Sequence, residues 1–282
     1  LGGALGWRNV FLITGSLGIL LSFFLFFFLK DPPRGQSEPE LAGKEQVGVY
    51  RFEWSTAKAL FRKPSLLLLF AQGFFGVFPW NAITYWFFAY LETERRYDTN
   101  TVMLIMVVAV LVLAVGYPLG GAMGDFLFKR NPRGRLIVSI VGVILGAILM
   151  AITLSIPNEQ VGLFLVSLSL TALCVPLASA NVTSTLYDIT LPEVRSTAMA
   201  AQSFIESIGS AVAPLLVGVI AYAFSLKVAF LLICSITWAL CALFFVFTAQ
   251  RIEADIHTMH QELHRRSLHQ VHTTAPILPS LD

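Results

Sequence analysis

Apolar residues along this chain gather in long runs rather than alternating with polar ones. Seven runs contain almost no charged residue: 9–29, 65–91, 101–124, 136–156, 161–187, 196–223 and 228–249. Each is long enough to cross the hydrocarbon core of a bilayer, which needs about 20 helical residues because the backbone must satisfy its own hydrogen bonds there. The pattern predicts an all-α, polytopic membrane protein with about seven transmembrane helices.

Composition supports this prediction and narrows the chemistry. Of 282 residues, 56% are hydrophobic and only 13% are charged, whereas a soluble domain carries about a quarter charged residues. The three cysteines lie inside apolar runs, so we expect neither a disulfide framework nor a metal site. The sequence contains no Gly-rich phosphate loop with a lysine. We therefore expect no ATP use, no cofactor and no nucleic-acid partner.

The basic residues predict the orientation in the membrane. Fifteen of the nineteen Lys and Arg residues fall on one side, in 30–64, 125–135, Arg195 and the C-terminal tail. Because cytoplasmic loops carry the excess of basic residues, that side is predicted to be cytoplasmic. The N-terminal end would then face outside and the tail the cytoplasm, with the plasma (inner) membrane as the expected location.

A motif follows the third apolar run. Gly121, Asp125, Lys129 and Arg130 reproduce the glycine, the aspartate four residues later and the basic pair of a known signature loop. This segment resembles the gating loop of major facilitator superfamily transporters, although 126 and 128 are phenylalanines where the family has a basic residue and a glycine. The resemblance implies close helix approach at the glycine and an aspartate set against a neighbouring helix N-terminus. A charged cytoplasmic turn is the alternative interpretation.

A second motif opens the sixth apolar run. Pro192, Arg195, Gly209 and Pro214 resemble the entry and the glycine- and proline-punctuated course of the eleventh helix of the same superfamily. Small residues at such spacings let helices pack closely in lipid. The segment from Tyr187 to Ile189, read with Pro192 and Arg195, also resembles the spinster-like branch, whose members move lysolipids or sphingoid lipids.

These resemblances imply a domain organisation. Residues 1–29 would be the last helix of an N-terminal bundle, 30–64 the cytoplasmic central loop, 65–249 a C-terminal six-helix bundle and 250–282 a cytoplasmic tail. The chain is identified as a member of the superfamily that is incomplete at its N-terminus, with further N-terminal helices as partners. The function implied is that of a secondary active transporter, not an enzyme, working by alternating access on a small organic, amphipathic or lipid-like solute. The sequence leaves the substrate, the coupling ion and the direction of transport open.

Glu206 is the first candidate site residue, because a carboxyl group deep in a membrane span is energetically costly and often functional. Gln202 precedes it by one helical turn, so both side chains share a face. The functional interpretation is a protonation or substrate-contact site in a central cavity. The structural alternative is a protonated glutamic acid bonded to a neighbouring helix.

Two further spans offer polar side chains. In 65–91, Gln72 and Trp80 share one helical face, and Asn81 and Tyr85 lie on the adjoining strip; in 161–187, Asn181 is a candidate near the cytoplasmic half. Pro79 predicts a kink or local unwinding of its helix, a place where transporters often bind substrate. Ordinary interhelical packing is the alternative for each of these residues.

A protein of a different class is the alternative to a transporter. Seven spans with the N-terminal end outside also fit a seven-span receptor-like membrane protein, although typical receptor motifs are absent.

The tail contributes one more prediction, since Ile252, Ile256, Met259 and Leu263 recur at helical intervals. This spacing is typical of an amphipathic helix lying along the membrane surface and contacting its lipids.

Overall fold

The computed structural model describes residues 6–29, 58 and 60–274, with 266–274 described by backbone alone. The predicted central loop, 30–64, therefore lies mostly outside the described residues. In these ranges the α-helices are α1 Trp7–Phe28, α2 Pro64–Thr93, α3 Thr99–Phe128, α4 Gly134–Ser155, α5 Val161–Cys174, α6 Ser179–Asp188, α7 Arg195–Ala223, α8 Leu226–Ala249 and α9 Ile252–Thr274. Two short 3-10 helices, Val175–Ala178 and Pro192–Val194, connect α5 to α6 and lead into α7.

The all-α fold class and the predicted spans are confirmed. Within the described part of the chain, seven helical segments are long and apolar enough to cross a membrane, α5 and α6 counting together as one. Each observed end lies within four residues of the predicted one, the largest difference being α3, which continues to Phe128. Helices exceed the uncharged runs because their terminal turns tolerate polar residues at the level of the headgroups.

The first span, α1, is described by itself. It is a regular helix of 22 residues with a mean hydropathy of 2.4, and none of its residues is buried. Its glycine N-cap, Gly6, has a positive φ of 72°. A helix that exposes apolar side chains on all its faces is stable only in an apolar environment, which agrees with a membrane span. The assignment of 1–29 to an N-terminal bundle stays a prediction.

Helices α2 to α8 pack into one unit. Helix α2 packs on both α7 and α8; α8 in turn packs on α4, and α4 packs on α3 and α5. The buried core at one end of this unit is aromatic, with Phe87 within 5.6 Å of Phe230 and stacked on Phe164 at 6.5 Å between ring centroids. Helices α3 and α7 leave most of their apolar surface exposed, as expected for faces that meet lipid or other membrane helices.

Glycines allow the closest helix contacts. A Cβ at Gly116 of α3 would collide with the Leu173 carbonyl of α5, and a Cβ at Gly120 would collide with the backbone of Leu177 in the α5–α6 connection. A Cβ at Gly209 of α7 would collide with the Phe74 carbonyl of α2. Small residues at such contacts let backbones approach when apolar lipid supplies no hydrophobic drive for association. The fold therefore depends on glycine at these points.

The predicted unwinding at Pro79 is absent, because α2 is continuously helical from Pro64 to Thr93. The break occurs instead in the fifth span, where Val175–Ala178 is 3-10 helix with Pro176 in its first turn. Here the Leu177 carbonyl accepts a hydrogen bond from Asn181 Nδ2 at 2.7 Å. A side-chain donor near the break helps to satisfy a backbone acceptor there, as a buried irregular backbone requires.

The tail prediction is correct as to the helix but wrong as to its surroundings. Ile252, Met259 and Leu263 of α9 are at most 5% exposed. Arg133, before α4, forms an ion pair of 2.7 Å with Glu253 near the start of α9. The apolar face of this helix is therefore covered by protein and is not free to lie on a membrane.

Candidate functional site

A cavity of about 290 Å³ lies among the central parts of the packed helices. Its walls come from α2, α3, α6, α7 and α8, from the 3-10 helix between α5 and α6, and from Val143 of α4. Four of the predicted site residues line it together: Gln72, Trp80, Gln202 and Glu206. The sequence placed these residues on two helices, and the structure brings the two faces against each other.

Glu206 and Gln202 form a pair on one face of α7. Gln202 Nε2 donates to Glu206 Oε1 at 2.6 Å, across one helical turn. Gln202 is buried and Glu206 is half-buried. Opposite them lies Gly73 of α2, where a Cβ would collide with the Gln202 amide group. The absence of a side chain at Gly73 is thus what lets the polar pair lie between α2 and α7.

The cavity wall holds two amide oxygens without a partner. Gln72 Oε1 and Gln202 Oε1 are buried and accept no hydrogen bond from any described residue. Gln72 is 8% exposed and Gln202 is 3% exposed. Because a buried acceptor without a donor costs about 1–3 kcal/mol, such groups are expected to meet a ligand or water.

Aromatic side chains complete the wall. Trp80 from α2, Tyr117 from α3 and Trp238 from α8 all line the cavity. Trp80 is 47% exposed, whereas Trp238 is 2% exposed and belongs to the hydrophobic core. Cys241 also lines the cavity, and its thiol donates to the backbone carbonyl of Gln72 at 3.5 Å. The cavity therefore combines apolar rings with a few polar groups, as small-molecule sites usually do.

Three predicted site residues lie elsewhere. Asn81 Nδ2 donates to the Val77 carbonyl at 2.8 Å and to Ser210 Oγ at 3.0 Å, so its amide joins α2 to α7. Tyr85 is 66% exposed. Asn181 is buried against α3, where Nδ2 donates to the Gly120 carbonyl at 3.0 Å. None of the three is among the described residues that line the cavity.

The first half of the signature-loop motif, Gly121 and Asp125, lies on the last two turns of α3, and Lys129 and Arg130 follow in the turn after it. Asp125 Oδ1 accepts from Arg135 Nη2 at 2.8 Å and from Nε at 3.1 Å. Arg135, in the first turn of α4, also pairs with Asp188 at the end of α6. Asp125 thus contacts a side chain in the first turn of α4, where the partial positive charge of the helix N-terminus also favours a carboxylate. We call Asp125, Arg135 and Asp188 the Arg135 cluster.

The phenylalanines that depart from the family pattern take part in this region. Arg135 lies 4.0 Å above the ring centroid of Phe128, and Arg130 lies 4.7 Å above that of Phe126. Cation–π contacts of this kind add to the attraction that holds a guanidinium group in place. Helix α3 ends before Lys129.

Close approach occurs beside the motif glycine rather than at it. A Cβ at Gly121 would meet Ala180 at 3.6 Å, an ordinary contact, whereas a Cβ at Gly124 would collide with the Asn181 side chain. The expectation that Gly121 allows the helices to approach is therefore wrong by one helical position. Gly120 and Gly124 share one face of α3, and that is the face that packs on the fifth span.

The eleventh-helix motif organises the entry and middle of α7. Pro192 begins the short 3-10 helix before α7. Arg195 Nη2 donates to the Tyr187 carbonyl at 3.1 Å. Gly209 provides the close contact with α2, and the Pro214 carbonyl accepts from Trp86 Nε1 at 3.1 Å. These residues join α7 to the end of α6 and along α2.

Sequence reasoning missed Arg95. This residue, in the turn after α2, is 3% exposed, and its guanidinium lies 4.2 Å above the ring of Phe164. It donates to Tyr90 Oη at 2.9 Å, Thr153 O at 3.1 Å, Tyr97 Oη at 3.3 Å and Pro157 O at 3.4 Å. A signal was present, because Arg95 is one of only four basic residues on the sparsely charged side.

Comparison with known proteins extends these findings. A family model described as Major Facilitator Superfamily matches residues 1–185 and 101–270. Protein spinster of Drosophila melanogaster is 29% identical over 77% of this chain and 36% of its own length. The Probable L-galactonate transporter of Escherichia coli is 26% identical over 88% of this chain and 56% of its own length. This chain thus spans about a third to a half of the length of such relatives.

A solved structure shares the fold. The bacterial homolog of the human lysosomal transporter Spinster, in an inward-facing and unoccupied conformation, matches with a TM-score of 0.59 and 18% identity, covering 91% of this chain and 60% of that one. These similarities support the spinster-like branch that the sequence suggested around Tyr187, and they give no support to a receptor-like protein. The chain belongs to the Major Facilitator Superfamily and is an integral membrane protein.

Proposed function

We propose that this chain is part of a secondary active transporter that moves a small organic or amphipathic solute by alternating access, with a proton gradient as the driver. The observation that carries the proposal is the cavity in which Gln72, Gln202 and Glu206 meet Trp80. Glu206 lies near the middle of α7, where a carboxyl group is costly unless it serves a site or a partner. Glu206 is the proposed coupling residue.

The Arg135 cluster is the proposed gate. Its ion pairs join the ends of α3, α4 and α6, and the fifth span is broken between α5 and α6 beside the cavity. A helix break gives the two halves of a span some freedom to move separately. Opening this end of the bundle would require the ion pairs to separate while the cavity changes its access.

The remaining parts of the proposal concern the whole protein. We propose that 65–249 forms one bundle, 1–29 the last helix of the other bundle and 30–64 the loop between them. We further propose that the protein lies in the plasma (inner) membrane, with its C-terminal tail on the cytoplasmic side. The partners proposed for this chain are further N-terminal helices of the same protein. A lysolipid or sphingoid lipid is the substrate that the spinster-like similarity favours, and a sugar acid is the one that the galactonate relative favours.

The first experiment is to sequence the gene upstream of the Leu1 codon. An open frame encoding about five more spans is expected for a two-bundle transporter. The complete protein is then reconstituted in vesicles that contain a pH-sensitive dye, and amines, lysolipids and sugar acids are added in turn. A coupled solute changes the internal pH, and the isolated 282-residue chain is expected to give no such flux.

Substitution at Glu206 tests the coupling role. Glu206→Gln should abolish proton-coupled transport and leave the protein level unchanged, whereas Glu159→Gln, in an exposed turn outside the cavity, should transport normally. Full coupling in the Glu206→Gln variant would remove Glu206 from the mechanism. The absence of flux with every solute, in a protein without upstream spans, would overturn the transporter proposal itself.

A further inference from the structure

We infer that the cavity binds the positively charged, hydrogen-donating end of its substrate, an organic ammonium group attached to an apolar body. This inference deepens the proposed function and rests on it. It concerns the charge that a ligand group must carry in order to bind against the cavity residues of this chain. It is drawn from the chemistry of the polar atoms around the cavity.

The described wall carries an acid and no cation. Glu206 contributes a carboxyl group, and Gln72 and Gln202 contribute amide oxygens that lack a donor. The other polar groups of the described wall are neutral hydroxyl, thiol and indole groups, and none of its residues is Lys, Arg or His. A cationic ligand with N–H donors therefore finds these three acceptors, one of them acidic, and no competing cation.

The amide of Gln202 is oriented by its neighbour. Its Nε2 already donates to Glu206 Oε1 at 2.6 Å. A carboxylate can only accept hydrogen bonds, so the glutamine must present its nitrogen to Glu206 and its oxygen to the remaining surroundings. The charged form of Glu206 thus fixes Gln202 as an acceptor for the ligand.

The aromatic residues suit the same ligand. Trp80, Trp238 and Tyr117 line the cavity with the three acceptors. A cation placed over an aromatic face is attracted by the negative face of the ring, with tryptophan the strongest partner. The rings also provide an apolar surface for the uncharged part of an amphipathic amine.

An anionic ligand meets the opposite conditions. A carboxylate or sulfonate group would lie near the Glu206 carboxyl group and two amide oxygens, and within the described wall it would find no cationic side chain. The hydroxyl and indole donors of the wall are neutral, and desolvating such an anion without a compensating positive charge is costly. This wall therefore selects against negative charge at the end of the ligand that it contacts.

The test uses three probes of one shape and different charge: 2-phenylethylammonium, 2-phenylethanol and 3-phenylpropanoate. Their binding to the purified 282-residue chain in lipid nanodiscs is measured by isothermal titration calorimetry, with empty nanodiscs as the blank. We expect the ammonium to bind about tenfold or more tightly than the alcohol, because hydrogen bonds to charged groups are stronger than those between neutral groups. The carboxylate should bind most weakly.

Variants assign the preference to named groups. Glu206→Gln should lower the affinity for the ammonium about tenfold and leave that for the alcohol nearly unchanged. Gln72→Leu should weaken ammonium binding by a smaller factor, because it removes one neutral acceptor. Glu159→Gln is the control for the loss of an acidic group and should bind all three probes as the unaltered chain does.

The binding results for the unaltered chain can overturn the inference by themselves. Equal or tighter binding of 3-phenylpropanoate by the unaltered chain, or binding of none of the three probes, would overturn the inference. So would an ammonium affinity that Glu206→Gln leaves intact. Because binding is measured without flux, a failed transport assay with selective ammonium binding would count against the proposed transport cycle and not against the ligand chemistry.

Discussion

Arg95 and Arg135 lie at opposite ends of the bundle, one beyond the C-terminus of α2 and the other in the first turn of α4, and their surroundings differ in charge. The partners of Arg95 are carbonyl and phenol oxygens and an aromatic ring, and the residue is 3% exposed. Arg135 instead pairs with two carboxylates, Asp125 and Asp188, whose side chains are 58% and 24% exposed.

Because of this difference, the contacts of Arg95 are expected to be permanent, whereas those of Arg135 can be replaced by contacts with water or ions. Removing Arg95 would leave buried oxygens without donors, and neither salt nor water reaches them easily. The partners of Arg135 are partly exposed, so water and ions can replace the guanidinium when the pairs separate. The Arg95 end is therefore expected to remain closed within this chain, and the Arg135 end is the one suited to opening.

The largest effect is expected at Arg95. Arg95→Gln should lower the free energy of unfolding by about 3 kcal/mol or more, because several buried acceptors lose their donor at about 1–3 kcal/mol each. The unfolding midpoint in detergent measures this loss. Arg96→Gln is the matched control, since the neighbouring arginine is exposed. Similar midpoints for the two variants would show that burial of Arg95 contributes little.

A smaller effect should distinguish the two carboxylates of the Arg135 cluster. Asp188→Asn is expected to destabilise the protein by about 1–2 kcal/mol, between the usual values for exposed and buried ion pairs. Asp125→Asn should cost less than about 1 kcal/mol, because its carboxylate is more exposed. Unfolding midpoints at low and high salt test this order, and the Asp125 effect should shrink at high salt. The reverse order would contradict the assignment.

The spans could be predicted from the sequence because their cause is local. A run of apolar residues long enough to cross the bilayer must be helical, and turn residues such as Pro157 and Pro192 mark where it ends. The side-chain pairs that join different helices were harder to predict from the sequence. The pairing of Asp125 with Arg135 joins residues ten positions apart, but the third member, Asp188, comes from another span.

The site could be predicted only in part. Gln202 and Glu206 were found together because helical spacing puts them on one face, and Gln72 and Trp80 for the same reason. The place of the break could not be found in this way. Pro79 and Pro176 look alike in sequence, and each precedes an asparagine whose amide donates to a carbonyl four residues earlier, so the local pattern does not tell the two prolines apart. Arg95 was missed because Thr153 and Pro157, about sixty residues away, provide its acceptors.

Glu94 offers a further test of the Arg95 end. Its carboxylate accepts from the backbone N–H groups of Leu226 and Lys227, at the N-terminus of α8. A negative charge there is favoured by the helix dipole, so Glu94→Gln should cost about 0.5–1 kcal/mol. Glu159→Gln, in an exposed turn, is the control and should leave the unfolding midpoint unchanged. An equal shift in both variants would show that the loss reflects overall charge rather than the contact with α8.

The smallest effect concerns Asp98, which precedes α3 and also belongs to the Arg95 end. Its side chain accepts from Thr101 Oγ1 at 2.6 Å and from Thr101 N at 3.1 Å, and these bonds lower the pKa of the Asp98 carboxyl below its usual value. A carboxyl group with a lowered pKa stabilises the folded protein at neutral pH, and the stabilisation is lost as the pH falls through the folded-state pKa. The unaltered chain should therefore unfold at a higher temperature than Asp98→Asn at pH 7, and the two midpoints should converge in acid below about pH 4. Glu159→Gln, at an exposed carboxyl group in a turn, is the control and should show no comparable convergence. If the unfolding midpoints of the unaltered chain and of Asp98→Asn differed by the same amount at every pH, the effect would be assigned to the shape of the side chain rather than to its charge.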